Sequence, residues 1–440
     1  MKLDELKNIL REMGVVGAGG AGFPSYAKLS DKADTIILNC AECEPLLKVH
    51  RQVLEEFTYE ILSALNTILE ATGAKHGIIA IKSHYKSTLA ALRDEISAFP
   101  ALSIHTLDSV YPAGDEIILI KEVTGKTVDP GKLPITVGVT VCNVESVQNA
   151  YRALEGKPVT KKFVTVAGEV KKPITVCVPL GTKLSQLITA AGGTTLDNVE
   201  YIVGGPMMGR VADMNDVVTK TTNAIIVLPA DHNVILNKKR NASINLRRAM
   251  SVCCQCRSCT ELCSRNVLGY PVEPHAVMNV LSNGGKGDGR VIIDAMFCSG
   301  CGLCETYSCP QGLSPRALIA EIKAAARQNG IKPPEDIKAN PNVKNADLRR
   351  VSVERLTMRL GLAKYDVPAP IEEYHGTRSV KLLLSQHLGA PAVACVNVGD
   401  TVKRGDLVAK AAEGALSVNI HASIDGKVTA VTPKYIKISK

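Results

Sequence analysis

The hydrophobic pattern of the chain alternates between helical and strand-like stretches. Residues 3–13 repeat apolar side chains at helical spacing and predict an amphipathic helix. The apolar runs "TIILNC" and "GIIAIK" predict buried strands, with a helix between them near residues 47–71. Further on, "FVTVAGEVKKPITVCVPLGTKLSQLITAAGG" predicts a β-hairpin, a turn at Gly181 and a short helix.

The same pattern changes character in the last quarter of the chain. From Gly376 on, "VNVGDTVKRGDLVAK" and "VNIHASIDGKVTAV" predict paired short strands with Gly or Asp-Gly turns, and hence a flattened barrel of hairpins. The preceding residues 329–374 are charged and Pro-rich and predict a linker with one helix around residues 351–362. A chain of 440 residues is too long to fold around one ordinary hydrophobic core, so we expect three or four domains.

Composition places the chain among soluble globular proteins, since 45% of its residues are hydrophobic and 22% are charged. It has no apolar run near the length of a membrane span, and its first residues lack the apolar block of a signal peptide. A cytoplasmic location follows as an expectation. Fourteen cysteines in a reducing compartment point to metal or redox chemistry rather than to disulfides.

The net charge of +9 is dispersed, apart from one basic segment that contains Lys238, Lys239, Arg240, Arg247 and Arg248. A solvated helix face is the favoured interpretation of this segment. A surface for nucleic acid or for an acidic partner is the alternative, and no nucleic-acid partner is expected.

Cysteine spacing is the most specific chemical signal, because nine of the fourteen cysteines fall between positions 253 and 309. Two runs, C-x2-C-x2-C-x3-C and C-x2-C-x2-C-x4-C, contain Cys253, Cys256, Cys259 and Cys263, and then Cys298, Cys301, Cys304 and Cys309. Such runs are typical of ferredoxins with two 4Fe-4S clusters, in which the fourth cysteine of each run ligates the other cluster. These eight residues are the predicted metal ligands.

Zinc is the alternative metal, since it also uses C-x2-C pairs, but eight thiolates in two four-cysteine runs favour iron–sulfur clusters. The runs depart from the usual pattern at Ser264, where Pro usually follows, and by one extra residue before Cys309. Neither departure removes a ligand. Cys254 is left over and is expected to be a small packed thiol.

A glycine-rich stretch near the N-terminus, "GVVGAGGAGFPSYAKL", contains the G-x-G-x-x-G spacing at Gly17, Gly19 and Gly22. A dinucleotide fingerprint follows a strand, whereas these glycines follow a predicted helix, so the usual NAD interpretation fails on context. Glycines still let the backbone approach a phosphate closely, and a helix N-terminus behind them favours anions. A mobile turn is the alternative.

The order of motifs GxGGAGFPxxxK, NxxExEP, GxE and NVE resembles the flavin- and NADH-binding subunit of respiratory complex I. The resemblance implies a Rossmann-like flavin domain in which the glycine loop and a lysine hold the FMN phosphate, at Gly17, Gly19, Gly20, Gly22 and Lys28. It implies an isoalloxazine and nicotinamide pocket lined by Asn39, Glu42 and Glu44, with the flavin site completed by Gly114, Glu116 and Asn143. The sequence departs from that family at Ala41, where an Asp is usual, and at Cys40 and Cys43, which are expected to be packed thiols, a further metal site being the alternative.

The remaining segments resemble two further modules. "FVTVAGEVKKPITVCVPLG" through "YIVGGPMMG" resembles the SLBB β-grasp domain, expected here to be a structural spacer with Met207 and Met208 as core residues. The C-terminal hairpins resemble the barrel-sandwich fold of biotinyl and lipoyl carriers but lack the carrier lysine, so no lipoylation is expected. The predicted fold is multidomain α/β and α+β: a flavin domain at 1–157, SLBB at 158–236, a helical two-cluster ferredoxin-like domain at 237–328, a linker at 329–374 and a barrel-sandwich hybrid at 375–440.

This domain series resembles both the RnfC component of the Rnf electron-transport complex and the cobalamin reductases of propanediol-utilisation microcompartments. The barrel at the C-terminal end favours the reductases. The resemblance implies an enzyme that passes electrons from NADH through FMN and two 4Fe-4S clusters to cob(III)alamin or cob(II)alamin, without an acid–base catalytic residue. The alternative is an RnfC-like or microcompartment protein that reduces a protein acceptor.

The resemblance to the reductases also implies partners, namely NADH, cobalamin, an adenosyltransferase, the diol dehydratase reactivation system and shell proteins of a bacterial microcompartment. The sequence lacks D-x-H-x-x-G, the motif by which many corrinoid proteins supply a cobalt-ligating histidine. Cobalamin specificity therefore rests on the resemblance alone.

Overall fold

A four-stranded parallel sheet forms the centre of the N-terminal domain in the computed structural model, which describes all 440 residues. The elements of this domain are α1 (Leu3–Glu12), α2 (Ser25–Lys28), β1 (Thr35–Cys40), α3 (Val49–Glu56), α4 (Thr58–Thr72), β2 (His76–Lys82), α5 (Lys86–Glu95), β3 (Leu102–Leu107), β4 (Val110–Tyr111), α6 (Glu116–Thr124), β5 (Val139–Asn143) and α7 (Val144–Leu154). The sheet order is β3-β2-β1-β5. The predicted helix before the glycines is α1, whereas the helix predicted near residues 47–71 is divided into α3 and α4 at Phe57.

Both faces of this sheet are buried, which explains the continuous apolar runs in its strands. Ile36 and Leu38 of β1 pack into one core, and Ile37 between them packs into a separate core with α6. The chain order reverses at β1, because β2 lies on one side of it and β5 on the other. Asn39 and Asn143 are direct neighbours across β1 and β5, at the carboxyl ends where open parallel sheets bind ligands.

The second domain is built on a mixed six-stranded sheet. Its elements are β6 (Lys161–Gly168), β7 (Ile174–Pro179), α8 (Leu184–Ala190), β8 (Val199–Val203), β9 (Arg210–Ala212) and β10 (Ala224–Pro229). The antiparallel pairing of β6 with β7, followed by α8, confirms the predicted hairpin and short helix.

Short helices form the third domain, and none of its elements is a strand. They are α9 (Asn233–Lys239), α10 (Ala242–Val252), α11 (Ser258–Glu261), α12 (Ser264–Val267), α13 (Pro274–Ser282), α14 (Gly289–Asp294), α15 (Leu303–Thr306) and α16 (Pro315–Gln328). No helix of the protein has the length and apolar character needed to cross a membrane.

The segment predicted as a linker contributes paired strands to two other domains. Its elements are β11 (Val351–Ser352), α17 (Val353–Arg359) and β12 (Ile371–Glu373). β11 pairs with β4 of the first domain, and β12 extends the sheet of the second domain beside β7. Strands of two and three residues are too short to show a hydrophobic period, which is why the sequence indicated only the helix.

The C-terminal hairpins form a barrel of two small sheets. Their strands are β13 (Ser379–Leu383), β14 (Val393–Ala394), β15 (Thr401–Val402), β16 (Leu407–Lys410), β17 (Ile420–His421), β18 (Gly426–Val431) and β19 (Tyr435–Ser439), with sheet orders β13-β19-β18-β15 and β14-β16-β17. This domain packs on the N-terminal one. The backbone N–H of Leu388 donates to the carbonyl of Gly22 at 3.3 Å, and that of Asn419 donates to Arg11 at 3.2 Å.

A buried lysine lies where the first, second and C-terminal domains meet. The Lys220 ammonium donates to the carbonyls of Gly14, at 2.7 Å, and Asn419, at 3.1 Å. No carboxylate is bonded to this ammonium, and burial lowers the pKa of Lys220 to about 7. The titratable neighbours that feel its charge are His387 and His421, whose pKa values are lowered chiefly by burial.

The depressed pKa of Lys220 predicts that the protein becomes more stable as the pH rises from 7 to 9. In that range an unfolded lysine still binds a proton that the folded Lys220 has released, so deprotonation favours the folded state, by about 2 kcal/mol over two pH units. Urea unfolding at both pH values measures this difference. Lys220→Met should abolish it, whereas Lys434→Met at an exposed position should leave it intact; an unchanged pH dependence in Lys220→Met would show that another group is responsible.

Candidate functional site

The glycine loop is held in place from both sides. Val16 pairs with Pro24, and the N–H of Gly17 donates to the carbonyl of Phe23 at 2.8 Å. The hydroxyl of Ser146 on α7 accepts from the N–H of Ala18 at 2.8 Å and donates to the carbonyl of Val16 at 3.1 Å. The loop is therefore anchored on the N-terminal turn of α7, directly after β5.

Two glycines of the loop have opposite surroundings. A Cβ atom on Gly19 would lie 2.4 Å from the Asn143 amide nitrogen, so only glycine allows this close approach. A Cβ atom on Gly20 would meet no atom within 4 Å. The loop backbone therefore packs closely against Asn143 at Gly19. Next to it, at Gly20, the loop leaves the open space that a phosphate cradle requires.

Lys28 lies beside this loop at the end of α2. Its ammonium pairs with the Glu116 carboxylate at 2.8 Å and also donates to the carbonyl of Val141 at 3.3 Å. Both side chains of the pair remain about one-third exposed. The structure therefore brings together two of the predicted site residues from motifs that are far apart in the sequence.

The predicted asparagines meet the same crevice from β1 and β5. Asn39 donates to the carbonyl of Gly114 at 3.0 Å and accepts from the N–H of Ala41 at 3.0 Å. Asn143 begins α7, since its side-chain oxygen accepts from the N–H of Glu145 at 3.0 Å. These hydrogen bonds fix the orientation of both side-chain amides at the crevice.

A buried histidine links Asn143 to Glu42. The Asn143 amide nitrogen lies 3.1 Å from His50 Nε2, and because the amide oxygen is already bound, this nitrogen is the donor. His50 Nδ1 then carries the ring proton and faces Glu42 Oε1 at 4.0 Å. Burial is the main cause that lowers the pKa of His50 and keeps the ring neutral. The second carboxylate oxygen of Glu42, Oε2, is buried without a partner.

Glu44 lies apart from these groups and binds the second domain. Its two carboxylate oxygens accept from the N–H groups of Met207, at 2.9 Å, and Met208, at 2.8 Å. Burial raises the pKa of Glu44, while these two N–H groups oppose the shift. The "GGPMMG" loop is therefore joined to the segment that carries Glu42 and Glu44.

The same loop also contacts the helical domain. The carbonyl of Met207 accepts from Lys238 at 3.1 Å and from Arg316 at 2.6 Å, and its sulfur accepts from the Thr306 hydroxyl at 3.3 Å. Lys238 is thus turned into the protein, contrary to the solvated face predicted for it. Met208 is 56% exposed, so the prediction that it belongs to a core is wrong. The second domain is more than a spacer, because its loop lies between the first and third domains.

Five cysteines line a single cavity, and four of them belong to the predicted ligand set, the fifth being Cys254. Cys309 of the second run joins the first three cysteines of the first run, and we call Cys253, Cys256, Cys259 and Cys309 the distal cysteine group. Burial raises the pKa of Cys259 to about 12, so this thiol needs a bound cation to ionise at neutral pH. Cys254 is exposed, and the prediction that it is packed is wrong.

The other four cysteines are more deeply placed. Cys263 of the first run packs beside Cys298 of the second run, and we call Cys263, Cys298, Cys301 and Cys304 the proximal cysteine group. The thiol of Cys301 lies 3.6 Å from the hydroxyl of Ser264, the residue that replaces the usual Pro. In both groups the fourth cysteine has crossed to the other run, as the spacing predicts.

The two cysteine runs share one backbone trace. Left-handed residues occupy equivalent positions, Gln255 and Arg257 in the first run and Gly300 and Gly302 in the second, with φ between 54° and 85°. The first run adopts this conformation without glycine, which is unfavourable for side chains of this size. The two cysteine loops therefore have the same backbone conformation at these positions.

Direct bonds hold the proximal cysteine group against the first domain. The Tyr111 hydroxyl donates to the carbonyl of Cys301 at 2.7 Å. Asp115, next to Glu116, accepts two N–H groups of Arg265 at 2.8 and 2.9 Å, and Arg265 follows Cys263 by two positions. The order from the crevice is therefore proximal cysteine group first and distal group second.

Sequence reasoning missed His50, Tyr111, Asp115 and Arg265. Asp115 lies inside the GxE motif and Arg265 lies just after a cysteine run. Their positions next to predicted site residues could therefore have marked them as candidates. His50 is a lone histidine in a helix, and no motif marked it as a candidate, because the sequence does not show which helix face meets Asn143.

Four families match this chain segment by segment. The Nuo51 FMN-binding domain matches residues 10–152, the SLBB domain residues 163–211, the 4Fe-4S dicluster domain residues 252–314, and the RnfC barrel sandwich hybrid domain residues 363–440. These matches confirm the predicted fold class and the FMN and 4Fe-4S cofactors. The chain is a flavin and iron–sulfur oxidoreductase.

Solved structures show the same fold at low sequence identity. An NAD+-reducing [NiFe]-hydrogenase in the air-oxidized state aligns with a TM-score of 0.51 at 20% identity, covering 83% of this chain and 68% of the other. The H2-reduced state of such an enzyme gives a TM-score of 0.50 at 21% identity, covering 76% and 64%. At these identities the likeness concerns the fold alone.

Curated relatives give the family. The RnfC-type component of the Na+-translocating ferredoxin:NAD+ oxidoreductase complex of Acetobacterium woodii is 31% identical over 60% of this chain and 58% of its own length. Cobalamin reductase PduS of Citrobacter freundii is 39% identical over 98% of this chain and 96% of its own length. PduS of Salmonella typhimurium is 40% identical over 100% and 97%. The chain belongs to the family of cobalamin reductase PduS.

Proposed function

We propose that this protein is an NADH-dependent cobalamin reductase. One NADH gives NAD+, a proton and two electrons, and two cob(III)alamin molecules each take one electron to become cob(II)alamin. The observation that carries the proposal is the ion pair between Asp115, which precedes Glu116 of the crevice, and Arg265, which follows Cys263 of the proximal cysteine group. The name of the full-length relatives supports cobalamin as the acceptor.

We propose that FMN binds in the crevice formed by the glycine loop, Lys28, Asn39, Glu42, Gly114, Glu116 and Asn143. Three observations support its fit: the open space at Gly20, the exposed part of the Lys28 side chain, and the buried Glu42 oxygen without a partner. Glu44 was predicted in the same pocket. Its oxygens bind Met207 and Met208, so we propose that Glu44 positions the second domain beside the crevice.

The eight cysteines of the two groups would hold the two 4Fe-4S clusters. The thiols of the distal group line one cavity together with Cys254. When bound, FMN accepts two electrons together, and the clusters carry them one at a time.

The chain's own residues supply geometry and protection from water. The bond from Ser146 fixes the glycine loop, and His50 holds Asn143 in one orientation through Nε2. Met207 is fully buried and fills the contact between the second domain and the proximal cysteine group. Such fixed geometry is the protein's part in cofactor chemistry.

Gly19→Ala is expected to weaken FMN binding by about tenfold or more. The new methyl group would overlap the Asn143 amide and displace it from the crevice, which breaks its bond to His50. Titration of the apoprotein with FMN, followed by quenching of flavin fluorescence, measures the dissociation constant. Gly289→Ala is the matched control, because a methyl group there meets no atom. Equal affinity in both variants would mean that Asn143 does not contact the flavin.

Anaerobic visible spectroscopy tests the whole proposal. Protein reconstituted with FMN and iron is treated with NADH, and hydroxocobalamin is then added in excess. We expect NADH to bleach the flavin and cluster bands and the cob(II)alamin band to grow over many turnovers. Bleaching without cobalamin reduction would refute cobalamin as the acceptor and favour a protein acceptor, which is the alternative proposal. No bleaching by NADH would refute NADH as the donor.

We further propose that the protein works in a bacterial microcompartment together with an adenosyltransferase, the diol dehydratase reactivation system and shell proteins. This setting rests on the sequence resemblance to the reductases of propanediol-utilisation microcompartments. Density-gradient co-purification with assembled shells tests it.

A further inference from the structure

The distal cysteine group lies at the surface of the protein, unlike the proximal group. Cys256 and its neighbour Cys254 are exposed, whereas Cys263, Cys301 and Cys304 are buried. Electrons that reach the distal group are therefore close to solvent. The residues that surround this exit have no role in the function proposed above.

The chain around the exit is strongly basic. Between Asp231 and Glu261 it contains six basic residues and no acidic one. Lys238 is turned inward and Lys239 pairs with Glu200, which leaves four arginines for the surface. They are Arg240, Arg247, Arg248 and Arg257.

None of these arginines forms an ion pair, and the carboxylate of Glu305 acts on Arg240 only from beyond bonding distance. Arg240 and Arg248 donate at 3.4 Å to the carbonyls of Gly312 and Gln311, in the loop that follows Cys309. The two guanidinium groups lie near each other, and Arg247 and Arg257 are exposed. Four like charges without a directly bonded carboxylate, held around one exit, form a positive patch.

Large apolar side chains are exposed among the arginines. Ile244, Met250 and Val252 of α10 are 39%, 51% and 44% exposed, immediately before Cys253. Methionine and arginine are enriched at protein–protein interfaces, and a mixture of apolar and basic residues suits a protein better than a small solute. We call these three residues and the four arginines the basic face.

We propose that the basic face docks an acidic protein that accepts electrons one at a time from the distal cysteine group. Charge complementarity decides the occupant, because a basic or neutral partner would not be attracted to four unpaired guanidinium groups. In each transfer the reduced protein loses one electron and the acceptor gains one, and no bond forms or breaks. The inference rests on the two-cluster domain and is independent of NADH and cobalamin as substrates.

Electron transfer to two haem proteins of opposite charge tests the docking. The holoprotein is reduced with dithionite, freed of excess reductant and mixed anaerobically in a stopped-flow instrument with ferric cytochrome b5, which is acidic. Cytochrome c, which is basic, is the comparison probe. We expect reduction of cytochrome b5 to be about tenfold faster in low salt than in high salt, and reduction of cytochrome c to show no such acceleration.

Variants that reverse the charge of the basic face test whether its arginines attract the acceptor. Arg247→Glu with Arg248→Glu should slow reduction of cytochrome b5 by about tenfold at low salt and remove its salt dependence. Lys427→Glu with Lys437→Glu makes the same charge change on the exposed surface of the C-terminal barrel and should leave the rate unchanged. If the double variant loses its cluster absorbance, Arg247→Gln at the exposed position replaces it and should slow the reaction about threefold.

Two outcomes would overturn the proposal. One is a rate for cytochrome b5 that does not respond to salt in the unmodified protein. The other is an equal loss of rate in the arginine variant and in the barrel control, because a general change of net charge would then explain the effect. Since dithionite replaces NADH, neither outcome bears on the proposed reductase activity.

Discussion

Cys301→Ala should leave the flavin reducible by NADH while slowing cobalamin reduction by a factor on the order of 100. The reason is that a 4Fe-4S cluster needs four thiolates and this variant leaves the proximal cysteine group with three. Tyr111 of the first domain bonds to the backbone of this residue, so the variant affects the cysteine group that contacts the first domain. Anaerobic stopped-flow spectroscopy separates the fast flavin phase from the later cobalamin phase.

The iron content of the same variant gives a second readout. It should fall from about eight to about four atoms per chain, because the distal cysteine group keeps all its members. Cys254→Ala is the matched control, since this exposed cysteine belongs to neither group. If Cys301→Ala kept all its iron and its cobalamin rate, the assignment of the proximal group would be wrong.

Asp115→Ala should lower the free energy of unfolding by about 4 kcal/mol. The Arg265 side chain is only 10% exposed, and without Asp115 its charge stays buried and uncompensated. The variant also removes the side-chain cap of α6, which accepts from the N–H groups of Ile117 and Ile118. Urea unfolding followed by circular dichroism measures the loss of stability, and stopped-flow spectroscopy should show slower electron transfer from flavin to clusters.

An exposed ion pair provides the control for Asp115. Asp216 and Arg210 are bonded at 2.8 Å, but Arg210 is 65% exposed, so solvent screens their attraction. Asp216→Ala should therefore change the free energy of unfolding by about 1 kcal/mol or less. A similar small change in Asp115→Ala would indicate that the two domains are joined mainly by apolar contacts.

Local spacing is what made the cysteine groups predictable. A run of C-x2-C-x2-C fixes which thiols share one loop, and the crossing of the fourth cysteine follows from the known pattern of two-cluster ferredoxins. The glycine loop and its helix were likewise visible, because helical period and glycine spacing are properties of a short segment. The sequence resemblance then placed Lys28 and Glu116 in one site, and they form an ion pair in the structure.

Contacts between domains were beyond sequence reasoning. Glu44 belongs to a motif that predicts a place in the flavin pocket, yet its oxygens bind the backbone of Met207 and Met208. Backbone N–H groups have no sequence signature, so this partner is invisible before the domains are docked. The exposure of Met208 was missed for the same reason, since hydrophobic character predicts burial only on average.

The contact between Leu388 and Gly22 joins segments from opposite ends of the fold. During synthesis the glycine loop leaves the ribosome long before the barrel residues that cover it, and at about 5–20 residues per second this interval lasts roughly 20 seconds or more. The nascent flavin domain is thus exposed to the cellular FMN pool before the barrel has been made. The barrel then packs against Gly22, while the open space at Gly20 keeps the same loop accessible in the finished protein, so the cofactor can load at either stage.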